Sequence, residues 1–273
     1  MTFSIVARSA DGESWGVAVA SKFLAVGSAV PAAVAQVGAI ATQADANVAY
    51  KGLALAHLDD GATASVALQR LLEEDPGRDH RQVGIVDSDG GAASHTGQSC
   101  LDWAGSATGE GYAIQGNVLA GEEVVEAMQA AWDTSDDDAP LARRLLAALT
   151  AGDDAGGDKR GRQSAAILVV RDGAGYGGLD DIAVDLRVDD HPDPVTELAR
   201  LLDLNDLYLT ASTEEEKVPV TPDLERELEE FARAHGHASF HDWVGTENYE
   251  MRVSPELEWI DEKILGIVRG ERG

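Results

Sequence analysis

The chain alternates pairs of strand-length apolar runs, joined through short turns, with pairs of segments that carry apolar residues at helical spacing. That order limits the fold more than any single motif does. Thr2–Arg8 and residues 15–21 are β-rich runs separated by Asp11-Gly12, a turn signal, and read as a hairpin. Residues 26–37 and 38–43 continue the extended pattern, punctuated by Pro31 and Gly38. The period then changes. Leu53, Leu55 and Leu58, followed by residues 62–72, show helical spacing broken at Gly61 and ended by Asp75-Pro76-Gly77. Residues 82–87 and Ala92–Thr96 flank an Asp89-Gly90-Gly91 turn, and residues 112–115 add a short strand. Residues 124–132 and 141–149 return to the helical period, on either side of the acidic Asp136-Asp137-Asp138. A second hairpin, Ser164–Arg171 with Ile182–Val188, precedes a closing helix over residues 194–204.

Strands in hairpin runs separated by helix pairs predict antiparallel sheets covered by helices, because a parallel sheet would interleave single helices. The expectation is an α+β domain over residues 1–212 and a linker at 213–220, marked by Glu214-Glu215-Glu216-Lys217 and Pro219. A small, mostly helical unit follows over residues 221–273.

Charge narrows the function classes. Lys and Arg number 21 against 49 Asp and Glu, a net charge of −28. Such a surface repels nucleic-acid backbones, so nucleic acid is excluded as a partner. No run approaches the roughly 20 apolar residues of a membrane helix, so a membrane protein is excluded as well. The start lacks a basic, then apolar, leader, which predicts a cytoplasmic protein. The carboxylates are spread along the whole chain, as in halophilic proteins that stay hydrated in concentrated salt. Cys100 is the single cysteine, which excludes an intrachain disulfide framework and a multi-cysteine zinc site.

Three motifs invite chemistry and are read as structural. Gly173, Gly175 and Gly178 form G-x-G-x-x-G, but a strand follows them, so no helix N-terminus is there to hold a pyrophosphate. His235, His237 and His241 have metal-like spacing beside Asp242, yet Phe231, Phe240 and Trp243 mark the segment as a packing helix. Cys100 lies close in sequence to His95, without a reason for the two to meet as a dyad.

Thr2 is different. Met is normally trimmed before a small second residue, which would leave an α-amine and a β-hydroxyl on Thr2. An α-amine titrates near pH 7.7–8.0, at about neutral pH, so it is a base beside the hydroxyl it would deprotonate. The N-terminal hairpin ends in Ser21-Lys22, which predicts Lys22 within reach of Thr2; the bland alternative is a solvated lysine at a strand end.

The motifs Thr2-Phe3-Ser4-Ile5-Val6-Ala7-Arg8, Gly16-Val17-Ala18-Val19-Ala20-Ser21-Lys22-Phe23 and Ala41-Thr42-Gln43-Ala44 resemble the domain of unknown function 1028 family. So do Arg81-Gln82-Val83-Gly84, His95-Thr96-Gly97, Gln115-Gly116-Asn117, Gly156-Gly157-Asp158-Lys159-Arg160-Gly161-Arg162-Gln163-Ser164 and Asp185-Leu186-Arg187-Val188-Asp189-Asp190-His191-Pro192. The resemblance covers about residues 2–207. It implies an N-terminal-nucleophile hydrolase, related to proteasome subunits, with a four-layer αββα sandwich of two antiparallel sheets. It implies Thr2 as nucleophile, with Lys22, Asn117 and Asp158 as catalytic candidates and Gln43 and Arg160 as substrate-binding candidates. For Asn117 and Gln43 the alternative is a satisfied loop amide, and for Asp158 with Arg160 a structural ion pair. Glu247-Asn248-Tyr249-Glu250-Met251-Arg252 and Ile260-Asp261 resemble a small peptidoglycan-binding-like domain.

The expected activity is therefore hydrolysis of a C–N bond in a small-molecule amide or cyclic amide, with no metal or organic cofactor. A homodimer is left open. The alternative is a non-catalytic binding or scaffold protein on the same fold.

Overall fold

The amino-terminal hairpin forms as its alternation predicts. In a computed structural model, which describes residues 2–270, β1 (Thr2–Arg8) and β2 (Ser14–Ser21) pair antiparallel, with Phe3 opposite Ala20 and Arg8 opposite Trp15. The described chain makes two compact units, divided at Leu201/Leu202.

In the first unit a single helical turn, α1 (Val26–Ala29), interrupts the stretch read as extended. Ala25, with φ of 53°, turns the chain into it. A Cβ on Gly27 would stand 2.6 Å from the Ala166 Cβ, so only glycine lets this turn lie so close. Next come β3 (Pro31–Val34), β4 (Gly38–Ala44), α2 (Ala49–Asp59) and α3 (Ala64–Glu74). β5 (Arg81–Asp87), β6 (Ala92–Thr96), β7 (Gly105–Gly109) and β8 (Tyr112–Asn117) follow. Then come α4 (Glu123–Asp133), α5 (Leu141–Asp154), β9 (Ser164–Arg171), β10 (Ile182–Val188) and α6 (Pro194–Leu209), within which the unit boundary falls. β7 was not legible in the sequence: Gly-Ser-Ala-Thr-Gly has no apolar alternation, and the strand exists because β8 offers it an edge.

The result is a mixed α/β fold with two antiparallel sheets and several helices. One sheet has six strands, ordered β10-β9-β2-β1-β8-β7, and the other four, ordered β3-β4-β5-β6. β1 and β2 touch β4 on one side and α5 on the other, while β4 and β5 touch α2 and α3 respectively. Alternation sorts the side chains: Val6, Val17 and Val19 pack with Ala39, Ala41 and Val86, whereas Ile40 and Ile85 join Tyr50, Leu58 and Leu71. Both faces of these strands are covered, which explains their nearly unbroken apolar runs.

A polar knot closes the turn between α3 and β5. Asp75 accepts from Arg81 Nε at 2.8 Å, from the Tyr50 hydroxyl at 2.8 Å and from the Gly77 N–H at 2.7 Å. The Arg81 hydrogen bond leads in holding the Asp75 carboxyl well below its ordinary 3.8. A lowered carboxyl pKa contributes stability that is present above pH 3.8 and lost as pH falls through the folded value. Asp75→Asn should therefore be less stable than the parent at pH 7, the gap closing below pH 3.8; parallel unfolding midpoints across pH 2–7 would refute this.

The second unit holds β11 (Lys217–Pro219), α7 (Pro222–Ala234), α8 (Phe240–Glu247), β12 (Trp259–Asp261) and α9 (Glu262–Val268). Thr221 caps α7, accepting from the Leu224 N–H, with Pro222 at the first helical position. Leu228, Phe240, Trp243, Ile260 and Ile264 form its core. The stretch read as a linker, 213–220, includes β11, which pairs with β12, so this unit also contains a small sheet.

Candidate functional site

Thr2 opens β1, the strand flanked by β2 and β8 in the larger sheet. It is 6% exposed, and its Oγ1 shares a hydrogen bond of 3.1 Å with Ser21 Oγ. Ser21 follows Ala20, the partner of Phe3, so the two hydroxyls stand side by side across the β1–β2 ladder. On the other flank Thr2 is paired with Asn117 of β8.

Behind Thr2 a buried amide network joins the two sheets. Gln43 Nε2 donates to the Thr2 carbonyl at 3.2 Å and to Gln82 Oε1 at 2.8 Å, while its Oε1 accepts from the Ser4 hydroxyl at 2.7 Å. Asn117 Nδ2 donates to the same Gln82 Oε1 at 2.9 Å. Gln115 Nε2 donates to Ser4 Oγ at 2.6 Å. Gly84 leaves room for this last amide: a Cβ there would sit 2.0 Å from Gln115 Oε1. Gln43, Gln82, Gln115 and Asn117 are all buried, and their amide nitrogens are held by protein partners, while Gln115 Oε1 is buried without one.

The backbone is strained at the same end. Ala44 and Val118 directly follow Gln43 and Asn117 and have φ of 69° and 52°, and Ala25 lies beyond the end of β2 at 53°. A β-branched residue such as Val118 pays about 1–3 kcal/mol to stay there, and such residues cluster at functional sites.

The structure thus brings Thr2, Gln43 and Asn117 together. Gln43 is a tie between sheets, its amide engaged by Thr2 O, Ser4 and Gln82. Lys22 requires a correction. Its backbone N–H donates to Asp158 Oδ2 at 2.7 Å and its ammonium to the Arg162 carbonyl at 3.2 Å, with the side chain exposed. Sequence reasoning placed Lys22 by nearness of strand ends and neglected parity: successive side chains leave a strand on opposite sides, and Ser21 holds the place beside Thr2. Asp158 anchors the β2 exit through that N–H and pairs with Arg160 at 3.1 Å. Their loop lies along the β8 exit, where Lys159 N–H donates to the Val118 carbonyl. Phe3, Ser21, Asp158 and Arg162 line a recess of about 10 Å³ there, room for roughly one water. Ser21 and Gln82 are what sequence reasoning missed; the available signal was polar residues at alternating positions within otherwise apolar strands.

The other motifs separate. Among the described residues no cluster of three or more His, Cys, Asp or Glu could hold a metal. His235 Nδ1 meets the Phe231 carbonyl, His241 Nε2 the Pro255 carbonyl, and His237 the Asp242 carboxylate. His95 Nε2 meets the Arg78 carbonyl, while the Cys100 thiol, pushed up by burial, donates to the Arg81 carbonyl. Gly173, Gly175 and Gly178 fall in the turn between β9 and β10. A larger open groove, about 840 Å³, lies between α3 and β6 and is lined by Leu68, Leu72, Arg78 and His95; Thr2 and its partners are not among its walls. No described helix is long and apolar enough to cross a membrane.

Residues 2–198 match the family of unknown function DUF1028, ending three residues before the unit boundary at Leu201. The crystal structure of a DUF1028-family protein from Silicibacter pomeroyi is similar, with a TM-score of 0.68 and 34% identity over 75% of this chain and 89% of that one. Anbu, an ancestral β-subunit from Yersinia bercovieri, aligns at a TM-score of 0.33 and 10% identity over 74% of this chain and 94% of that one, a likeness too slight to carry an argument. No curated protein matches.

Proposed function

The chain belongs to the DUF1028 family, whose function is unknown, and from its own site we propose that it is an N-terminal-threonine amidohydrolase acting on a C–N bond of a small-molecule amide or cyclic amide. The observation that carries this reading is the Thr2 hydroxyl, held at 3.1 Å by Ser21 at the head of a central strand. The element contacts support it: α4 and α5 against one sheet, α2 and α3 against the other, and β1 and β2 against β4 fit an αββα layering of the N-terminal-nucleophile type.

The reading requires loss of Met1, a step that lies outside the described residues. With Met1 gone, the neutral Thr2 amine takes the hydroxyl proton as Oγ1 bonds to the substrate carbonyl carbon. The resulting ammonium returns the proton to the departing nitrogen as the C–N bond breaks, leaving an ester on Thr2. The amine then takes a proton from water, hydroxide adds to the ester, and the acid departs as Thr2 Oγ1 is reprotonated. Ser21 orients the free hydroxyl before attack.

Intact-mass analysis after incubation with a β-lactone tests this: a protein lacking Met1 with one adduct on Thr2 is expected. A retained or acetylated Met1 would favour the rival binding-protein reading, for which the groove between α3 and β6 is the structural basis. A halophilic cytoplasm is proposed from the exposed Asp133, Asp136, Asp137, Asp138, Glu214 and Glu215; unchanged stability on withdrawing salt would overturn it. The second unit lies beyond the family match, and its likeness to peptidoglycan-binding-like domains stays a resemblance.

A further inference from the structure

We infer that Asn117 is the acceptor that holds the Thr2 α-ammonium, and that Gln82 is the positioning residue that aims it; the inference rests on the reading of Thr2 as an N-terminal nucleophile. Asn117 is the β8 partner of Thr2, and residues directly opposite in an antiparallel pair present their side chains on the same face, with Cβ atoms about 4.5–5.5 Å apart.

Which end of the Asn117 amide points where is decided by Gln82. Gln82 Nε2 donates to the Gly116 carbonyl at 2.7 Å, the Gly105 carbonyl at 3.1 Å and Thr96 Oγ1 at 2.9 Å. Carbonyl oxygens only accept, so the Gln82 nitrogen must face them and its Oε1 must face the other way. That oxygen already receives Gln43 Nε2, and Asn117 can meet it only with nitrogen, as it does. The Asn117 oxygen is therefore turned away from the network, and no hydrogen bond to Oδ1 is made among the described residues. Loss of Met1 creates, on the residue directly across the ladder, an ammonium that has only donors. An unengaged carbonyl oxygen is its chemical complement.

The charged groups at this end of the sheets have partners of their own. The Lys22 ammonium is on the Arg162 carbonyl, Asp158 is with Arg160, Asp153 with Arg162, and Arg81 with Asp75 and Asp45. Gln43, Gln82, Ser4 and Ser21 are neutral. Asn117 should therefore dominate any change in how the α-amine titrates.

The experiment measures, on the full chain, the rate of β-lactone adduct formation at Thr2 by intact mass from pH 5 to 10. In Asn117→Asp a carboxylate faces the ammonium and favours its charged form, so the inflection should move to higher pH by about one unit or more. In Asn117→Ala the ammonium loses its acceptor, and the inflection should move to lower pH. Gln82→Met should move it the same way by a smaller amount, because the amide is no longer aimed. Lower rates with an unmoved inflection in both Asn117 variants would assign Asn117 to the oxyanion or to structure and overturn the inference alone. If one of them fails to fold, ¹⁵N titration of the Thr2 amine in the wild type and the other variant reads the same shift. No adduct on the wild type would overturn the nucleophile reading, and this inference with it.

Discussion

Thr2→Ala is expected to abolish covalent capture and turnover while leaving the fold in place. Removing a nucleophile costs roughly 10⁴-fold or more in rate, because no other group supplies its bond to the carbonyl carbon. The structural loss is small by comparison: the side chain is short and stands at the start of a strand, and its hydrogen bond to Ser21 is worth about 1 kcal/mol. Thr2→Ser keeps hydroxyl, α-amine and the Ser21 contact, and should retain measurable activity at about 1 kcal/mol less stability from the missing methyl. The readouts are adduct formation by intact mass and thermal unfolding by circular dichroism. Wild-type capture by Thr2→Ala would end the nucleophile reading. Cys100 with His95 would not replace it, since the thiol and the imidazole each turn to a different backbone carbonyl.

Arg252→Ala should have the largest effect on stability, confined to the second unit. The guanidinium is 2% exposed and meets Asp261, itself 0% exposed, at 2.8 Å. It also pairs with Glu216 at 3.3 Å and donates to the carbonyls of Leu207 and Asp206. Removing it leaves a buried carboxylate without its cation, which costs about 3–5 kcal/mol. A unit this small has little stability to lose, so it should be largely unfolded in the variant at 25 °C. Arg252→Lys should rescue little, because a single ammonium does not reproduce a fork that reaches two carboxylates and two carbonyls. Urea unfolding followed through Trp243 and Trp259, both in this unit, checks this, and an unchanged midpoint would refute it. Capture at Thr2 should stay within about two-fold of wild type. Glu216 is lowered to about 2, first by its hydrogen bond from Lys263, so its share of stability is present above 4.5 and is lost only as pH falls toward 2.

Much of the first unit was legible because its elements announce themselves over short distances. The run Thr2–Arg8, the Asp11-Gly12 turn and the Ser164–Arg171 and Ile182–Val188 hairpin carry their period within about ten residues each, and α2 to α5 repeat Leu, Val and Ala at helical spacing. The elements that were not legible depend on neighbours. β7 has a glycine-rich sequence and exists by pairing with β8, and β11 and β12 are three residues each and exist by pairing with one another. At the site, Thr2 could be singled out from chemistry on one residue. Its setting could not.

What the sequence by itself determined is therefore local: which runs extend, which coil, where the turns fall, and that Thr2 starts a strand whose partner ends in Ser21. Tertiary structure decided what surrounds Thr2. Strand parity set Ser21, not Lys22, beside its hydroxyl. The β1–β8 register, between residues more than a hundred positions apart, set Asn117 opposite it. The approach of the four-stranded sheet aimed Gln43 and Gln82 at both. The physical reason is that an amide has two chemically different ends, and which end faces a neighbour depends on every donor and acceptor around it. Those partners come from β1, β4, β5, β6, β7 and β8, and they meet only once both sheets are formed and packed.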